Sequence, residues 1–355
     1  MILNVLKVFG LTTLAFFIGI LVTPILSHYL YKYKLWRKEV RQFAPDGAPT
    51  PIFARLHAER ERNVPRMGGI LVWGVVLFVS LVFFVLSVLF PQSWLLDKLN
   101  FVSRTQTWLP LFTLVAASLV GLADDIFQVF GRGKYIAGGI RFTRRLALIV
   151  LIAAIGAYWF YVKLDVSSLF VPFVGELSLG ILFPVVFVFV MIATFSGGVI
   201  DGLDGLAAGT LAASFAALGG IAFFQNQIDI AAFTGVLVGA LLAFLWFNIP
   251  PARFYLGETG MMGLSTVLTV IAFLTKSVLL LPLIAFPLVV AALSSALQLL
   301  WRRAFGRKLF LVAPIHHYFE AKGWPAHKVT MRFWVVGIVC ALIGMVIVLI
   351  GKAGV

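Results

Sequence analysis

Long apolar runs, separated by short polar segments, fill most of the 355-residue chain. A helix that crosses a membrane needs roughly 17–25 mostly apolar residues. Ten runs reach or approach this length: 5–30, 67–89, 107–123, 146–162, 181–200, 206–224, 230–249, 260–275, 277–300 and 333–350. The runs are continuous and lack the alternation that the strands of a membrane β-barrel show. The pattern therefore predicts an all-α integral membrane protein with about ten transmembrane helices.

Two stretches depart from simple helical runs. Pro282 and Pro287 lie inside the ninth run, where proline removes a helical hydrogen bond and should bend or break the helix. Residues 169–180 alternate loosely around Gly175 and predict a small hairpin at the periplasmic surface. The chain shows neither an internal repeat nor a low-complexity linker. We therefore expect a single polytopic membrane domain over residues 1–355.

Composition excludes a soluble domain. The chain is 61% hydrophobic and 12% charged, and its mean hydropathy is +1.05. A water-facing surface on a protein of this size needs far more charge. The apolar N-terminus lacks a small-residue cleavage site, so we interpret it as a retained first span and not as a cleaved signal. A single cysteine, Cys340, excludes an intrachain disulfide.

Lysine and arginine are distributed unevenly among the loops that join the apolar runs. Of the 28 Lys and Arg residues, 22 lie in the loops 31–66, 124–145, 201–205, 250–259 and 301–332. Because positively charged loops stay on the cytoplasmic side, we expect these loops to be cytoplasmic and both termini to be periplasmic. Such a face attracts anionic lipids or phosphorylated substrates. Nucleic-acid binding is the poorer interpretation, since no basic helix or aromatic platform accompanies the charge.

Five carboxylates lie at the predicted cytoplasmic ends of apolar runs: Asp124, Asp125, Asp201, Asp204 and Glu258. Ionisable groups are costly at such positions and usually have a function. Carboxylate oxygens suit a hard cation such as Mg²⁺, which also binds substrate phosphates. Asp201 and Asp204 lie about one helical turn apart, so either could instead cap the sixth span. The convergence of three separate loops on one membrane face favours a site over simple capping.

Two further loops carry candidate phosphate ligands. His316 and His317 are adjacent, and adjacent side chains point in different directions on a helix, so a two-histidine metal site is not implied. Their loop is rich in arginine and lysine, which favours phosphate contact; a surface pair without a role is the alternative. Arg66, followed by Gly68 and Gly69 at a helix start, offers a cation and backbone N–H groups to a phosphate. The glycines could instead serve helix packing.

Five motifs, in this order along the chain, resemble one family: PRMGG, ADD, DGLDGLAAG, FNIPPARFYLGETG and PIHHYFEAKGW. The chain is similar over nearly its whole length to the polyprenyl-phosphate N-acetylhexosamine-1-phosphate transferases. The last motif resembles that of the phospho-N-acetylmuramoyl-pentapeptide transferase branch. The resemblance implies an Mg²⁺-dependent enzyme of the bacterial inner membrane, with ten spans and a cytoplasmic-face active site. In that reaction, undecaprenyl phosphate displaces UMP from UDP-N-acetylmuramoyl-pentapeptide, and family members are often homodimers.

The resemblance also assigns roles to individual residues. It implies that Asp124 is the general base, with Asp125 beside it, and that His316 and His317 are catalytic. It implies metal binding by Glu258, Asp125 and Asp201. Substrate contacts, including the uridine pocket, are implied for Asp201, Gly202, Leu203, Asp204, Asn248 and Tyr255, to which we add Arg66 from its position at a helix start.

The chain departs from the family pattern at several positions. Gly198 replaces the usual Asn, Ile200 replaces Thr, Glu258 replaces Asp, Gln128 replaces Lys and Tyr318 replaces a third His. Three alternatives to the main reading stay open at this point. One is a transferase that moves GlcNAc-1-phosphate or a related sugar phosphate onto the same lipid. Another is a cation-coupled transporter, although transporters place ionisable groups near the membrane midplane and often have inverted repeats. The third is a non-catalytic binding relative.

Overall fold

The computed structural model describes residues 1–37, 63–102, 105–131 and 139–353. In chain order its α-helices are α1 (Ile2–Lys32), α2 (Gly69–Leu89), α3 (Trp94–Leu99), α4 (Thr105–Val129), α5 (Phe142–Tyr158), α6 (Phe183–Ser196), α7 (Leu206–Phe224), α8 (Ile228–Asn248), α9 (Gly257–Leu274), α10 (Leu281–Ile284), α11 (Phe286–Phe305), α12 (Ile315–Ala321) and α13 (Ala326–Ala353). Within these ranges, ten helices are long and apolar enough to cross a membrane. They coincide with the ten predicted runs, so the prediction of a multi-pass α-helical membrane protein is confirmed.

The ninth apolar run is broken, as its prolines predict. A 3₁₀ turn at Val278–Leu280 leads into the short helix α10, and α11 begins only at Phe286. Pro282 and Pro287 each lie in the first turn of a helix, where the missing N–H has no helical partner in any case. The spanning helix of this run is therefore α11 alone.

The predicted hairpin is present between α5 and α6. Its strands, β1 (Ser168–Val171) and β2 (Gly175–Ser178), pair antiparallel with Val171 opposite Gly175. Gly175 has a φ of +107°, which a residue with a side chain rarely adopts. The Glu176 side chain accepts a hydrogen bond from Ser168 Oγ and pairs with Lys276 after α9. The hairpin is thereby fastened to the end of the helical bundle.

Helix α9 lies at the centre of the bundle, and every one of its residues except Glu258 is buried. Small residues let α4 approach it closely. A Cβ built on Gly121 of α4 would lie 2.1 Å from the Glu258 carbonyl oxygen, and one on Gly263 of α9 would lie 2.0 Å from Ser118 Oγ. Such small-residue contacts are typical of membrane helix packing. This packing brings the end of α4, with its two aspartates, beside the start of α9.

The loops between the spans fall into two groups, one at each end of the bundle. At one end, Arg66 Nε lies 3.6 Å from Asp125 Oδ1. At the other end, Lys7 Nζ pairs with Asp229 Oδ1 at 2.6 Å. We call the first the carboxylate end, since it contains Asp124, Asp125, Asp201, Asp204 and Glu258. The described parts of the loops that carry most of the basic residues lie at this end, as the alternation of ten spans predicts.

Candidate active site

The first turn of α9 is the centre of the carboxylate end. Its N–H groups have no partners within the helix and carry the positive end of the helix dipole. Asp201 Oδ2 accepts a hydrogen bond from Gly257 N (3.2 Å), and Asp125 Oδ2 accepts one from Thr259 N (2.9 Å). Glu258 lies between these two donors. The three predicted metal ligands therefore meet at one helical turn.

Asp125 has an oxygen that fits a cation. The residue is fully buried, and its Oδ1 accepts no hydrogen bond from any residue that the structure describes; Arg66 Nε lies 3.6 Å away. A buried carboxylate oxygen without a hydrogen-bond donor is costly. Among the described residues, this site included, no three His, Cys, Asp or Glu side chains are grouped tightly enough to hold a metal ion without further ligands. The donor set suits Mg²⁺, which takes one or two carboxylates together with water and substrate phosphate.

Asp124 is held by three donors. Gln128 Nε2 and Ile140 N each lie 2.6 Å from its carboxylate oxygens, and Arg145 Nη1 lies 3.2 Å from Oδ2. The same Arg145 nitrogen lies 2.8 Å from Glu258 Oε1, so it bridges the two carboxylates. In the sequence, Arg145 is indistinguishable from the other basic residues that indicate topology, so its place in the site is not predicted. Its signal was a cation in the first turn of α5, where the helix dipole disfavours positive charge.

The DGLDG segment is a turn between two helices. A 3₁₀ helix ends at Ile200, and α7 is preceded by Gly205, whose φ is +74° and which provides no side-chain cap. The alternative that Asp201 or Asp204 caps the sixth span is therefore wrong. Asp204 Oδ2 instead accepts a hydrogen bond from Ala252 N at 3.2 Å. Both aspartates bind backbone of the segment that precedes or begins α9.

The electrostatic surroundings of Asp201 are mixed. Burial, the largest cause, raises the pKa of Asp201, and the Arg66 guanidinium and the Gly257 N–H oppose this rise. Glu258 and Asp204 also raise it by charge repulsion, and the net pKa of Asp201 is about 6. A bound cation would stabilise the ionised carboxylate of Asp201 against these effects. Asp201 is therefore suited to bind a cation or a positively charged group of a ligand.

The residues implied in the uridine pocket lie at two depths. Asn248 is buried; its Oδ1 accepts from Gly205 N (2.9 Å) and its Nδ2 donates to the Phe254 carbonyl (2.8 Å). Leu203 is buried as well, whereas Gly202 and Tyr255 are partly exposed. Asn248 therefore holds the backbone of the pocket together, and surface for a ligand is available at Gly202 and Tyr255.

The glycines after Arg66 do not bind phosphate through their N–H groups. Gly68 N donates to the Tyr255 carbonyl and Gly69 N to the Leu256 carbonyl, both at 2.8 Å. A Cβ on Gly69 would lie 2.3 Å from Gly260 N. The prediction for their N–H groups is wrong, because backbone pairing with the segment before α9 already uses them. The packing alternative is correct, and the pairing places Arg66 beside Asp125.

His316 and His317 are buried in α12 and converge on the DGLDG turn. A Cβ built on Gly202 would lie 2.5 Å from His316 Nε2 and 2.7 Å from His317 Nε2. His317 Nδ1 lies 2.7 Å from Glu320 Oε2, a pairing that directs Nε2 away from the glutamate and toward Gly202. Because both side chains are buried, the alternative that they lie on the surface is wrong. The expected divergence of adjacent side chains is also wrong, because both rings reach the same glycine.

Two polar side chains of α11 hold the segment that leads to these histidines. Gln298 Oε1 accepts hydrogen bonds from Leu309 N and Phe310 N, and Gln298 Nε2 donates to the Phe310 carbonyl. One turn earlier, Ser294 Oγ accepts from Ile315 N at 3.0 Å. Polar side chains on a spanning helix are costly unless paired. Their position indicates that α11 fixes the entry to α12.

The chain is similar in sequence to known proteins over most of its length. Residues 107–276 match the model of glycosyl transferase family 4, a range that includes all five carboxylates. A phospho-N-acetylmuramoyl-pentapeptide-transferase of Anoxybacillus flavithermus is 31% identical over 338 residues, covering 94% of this chain and 95% of the relative. The protein of the same name from Chloroflexus aggregans is 31% identical over 96% of this chain and 89% of its own length. That from Latilactobacillus sakei is 31% identical over 93% and 96%, respectively.

Proposed function

Since the chain belongs to the phospho-N-acetylmuramoyl-pentapeptide transferase family, we propose that it transfers phospho-N-acetylmuramoyl-pentapeptide from UDP to undecaprenyl phosphate, giving lipid I and UMP. The observation that carries this proposal is the meeting of Asp125, Asp201 and Glu258 at the first turn of α9. Phosphoryl transfer depends mainly on positioning and on neutralising charge at the phosphates. A carboxylate cluster beside arginines and a helix N-terminus supplies both.

The carboxylate end faces the cytoplasm of the inner membrane in this proposal. The loops 31–66, 124–145 and 301–332 bring most of the basic residues to that side, which is the charge bias of cytoplasmic loops. One substrate is a lipid and the other is a soluble nucleotide. Their reaction requires a site where helix ends meet water, and the site at the start of α9 fulfils this condition.

The cofactor of the proposed reaction is Mg²⁺, which Asp125, Glu258 and Asp201 would hold together with water and substrate phosphate, because among the described residues no three such side chains are grouped tightly enough to hold it alone. When bound, it supplies positive charge that polarises the diphosphate and stabilises the departing UMP. Asp124, oriented by its three donors, accepts the remaining proton of the lipid phosphate. Arg145 and Arg66 offset the negative charge of the carboxylates, which lets an anionic substrate approach.

Nucleotide and phosphate contacts involve the turn that follows α6 and the helix α12. Gly202 and Tyr255 provide the exposed part of the uridine pocket, and Leu203 and Asn248 support it from below. His316 Nε2 and His317 Nε2 lie beside Gly202, within reach of a phosphate bound over that glycine. The Glu320 carboxylate holds His317 in this orientation.

Release of UMP from different donors tests the function. Membranes containing the protein and undecaprenyl phosphate are incubated with Mg²⁺ and either UDP-N-acetylmuramoyl-pentapeptide or UDP-GlcNAc. We expect UMP and lipid-linked product with the muramoyl donor alone. UMP release with UDP-GlcNAc only would support the alternative sugar-phosphate transferase and contradict the proposal. A preparation without the protein controls for other nucleotide-releasing enzymes.

Gln298→Leu is expected to lower kcat about tenfold, because the loop before His316 loses side-chain hydrogen bonds and the imidazoles shift. Gln225→Leu is the matched control. Gln225 donates to the Thr275 carbonyl at the opposite end of the bundle, so its loss should affect stability without affecting kcat. Both variants are compared by UMP release and by thermal unfolding in detergent. Equal effects on kcat would show that Gln298 has no specific link to the histidines.

A further inference from the structure

Arg37, which follows α1, is buried against α4 at the carboxylate end. It is 3% exposed, and its Nε (2.9 Å) and Nη2 both donate to Gln128 Oε1. Gln128 is buried too. Burying a guanidinium is costly unless its charge is compensated and its donors are bonded. Two donors of the Arg37 guanidinium thus bind the same amide oxygen.

This contact determines which way the Gln128 amide points. Because Oε1 faces Arg37, Nε2 faces the other way and donates to Asp124 Oδ2 at 2.6 Å. Gln128 and Asp124 are four residues apart on α4, so they lie on the same face of the helix. The reverse orientation would place the amide oxygen against the Asp124 carboxylate. Arg37 prevents that orientation by occupying the acceptor.

The hydrogen-bonded series Arg37–Gln128–Asp124 is also covered by the segment that begins at Gly139. A Cβ on Gly139, whose φ is +95°, would lie 2.9 Å from both Asp124 Oδ1 and Gln128 Cγ. Ile140 N, the next donor along the chain, binds Asp124 Oδ1. Hydrogen bonds in series polarise one another, and a buried setting strengthens them. Arg37 therefore acts on Asp124 through a short, enclosed path.

We propose that Arg37 is a positioning residue for Asp124 and acts through Gln128. It fixes the amide so that a donor always faces the carboxylate, and its positive charge polarises that donor. The inference rests on the proposed function, because Asp124 matters for turnover only if it serves the transfer reaction. The competing explanation is that Arg37 merely anchors the segment after α1 to α4.

Four proteins separate these explanations: wild type, Arg37→Gln, Gln128→Lys and the double variant Arg37→Gln/Gln128→Lys. Arg37→Gln should lower kcat about tenfold, with KM for the UDP donor nearly unchanged, because a charge-assisted hydrogen bond to Asp124 is weakened. Gln128→Lys should also lose activity, because it places an ammonium against Arg37. In the double variant, lysine reaches Asp124 without that repulsion, so kcat should return to within about threefold of wild type.

Thermal unfolding of the same four proteins is the second measurement, and its shifts should be non-additive. Lys7→Gln is the control, since it removes a buried cation at the opposite end; it should lower Tm and leave kcat unchanged. A double variant that recovers Tm without kcat would overturn the proposal and leave Arg37 as an anchor. So would an unchanged kcat in Arg37→Gln. Wild-type protein that releases no UMP contradicts the proposed function and not this inference. In that case the Tm values still test the inference, because additive Tm shifts would show that Arg37 and Gln128 are not coupled.

Discussion

Asp125→Asn is expected to lower kcat at least about 100-fold without unfolding the protein. The asparagine oxygen still accepts the hydrogen bond from Thr259 N that Asp125 accepts now. The variant therefore keeps the cap on α9 and loses the negative charge. The charge faces the buried position where Oδ1 lacks a donor among the described residues. If this oxygen binds Mg²⁺, the concentration of Mg²⁺ that gives half-maximal rate should rise as well.

The measurement is UMP release at several Mg²⁺ concentrations, with an EDTA-treated sample as the metal-free reference. Asp229→Asn is the matched control, because Asp229 is a carboxylate paired with Lys7 at the opposite end of the bundle. Its loss should lower Tm with kcat preserved. Full activity in Asp125→Asn would mean that the carboxylate serves only as a helix cap. That outcome would remove Asp125 from the proposed cation site.

The spans were predictable because the bilayer imposes one simple condition. Each spanning helix must be long and apolar, and this condition can be read locally from the sequence. The break in the ninth run was equally local, since Pro282 and Pro287 act on the backbone within one turn. The hairpin around Gly175 followed from alternation over a few residues. These features need no knowledge of which helices are neighbours.

The contacts within the site were not predictable in the same way. Arg37 binds Gln128 across 91 positions of the sequence and Arg145 binds Asp124 across 21, and as single basic residues both look like topological charge. The N–H groups of Gly68 and Gly69 look available to phosphate in the sequence, because their pairing with residues 255–256 is a tertiary contact that local sequence does not reveal. The set of acidic residues could be read from the loops, but their partners depended on how α4 and α9 pack.

Gly202 and Gly198 illustrate this difference within one motif. Gly202 belongs to the DGLDG turn and Gly198 precedes it. In the sequence Gly198 is the more conspicuous of the two, because it replaces the family's usual Asn. A Cβ on Gly198 would meet only Met261 Cβ among the described residues within 4 Å, at the full 4.0 Å. A Cβ on Gly202 would instead strike two imidazole nitrogens. The constraint therefore lies at Gly202.

Gly202→Ala is expected to lower kcat about 100-fold, because the added methyl group must displace His316 and His317 by the order of 1 Å. The backbone at Gly202 does not have a positive φ, so the substitution acts through the imidazoles and not through backbone strain. Gly198→Ala is the matched control and should retain wild-type kcat and Tm. UMP release and thermal unfolding are measured for both variants. A fully active Gly202→Ala would contradict the prediction that the transfer depends on the present positions of the two Nε2 atoms beside Gly202.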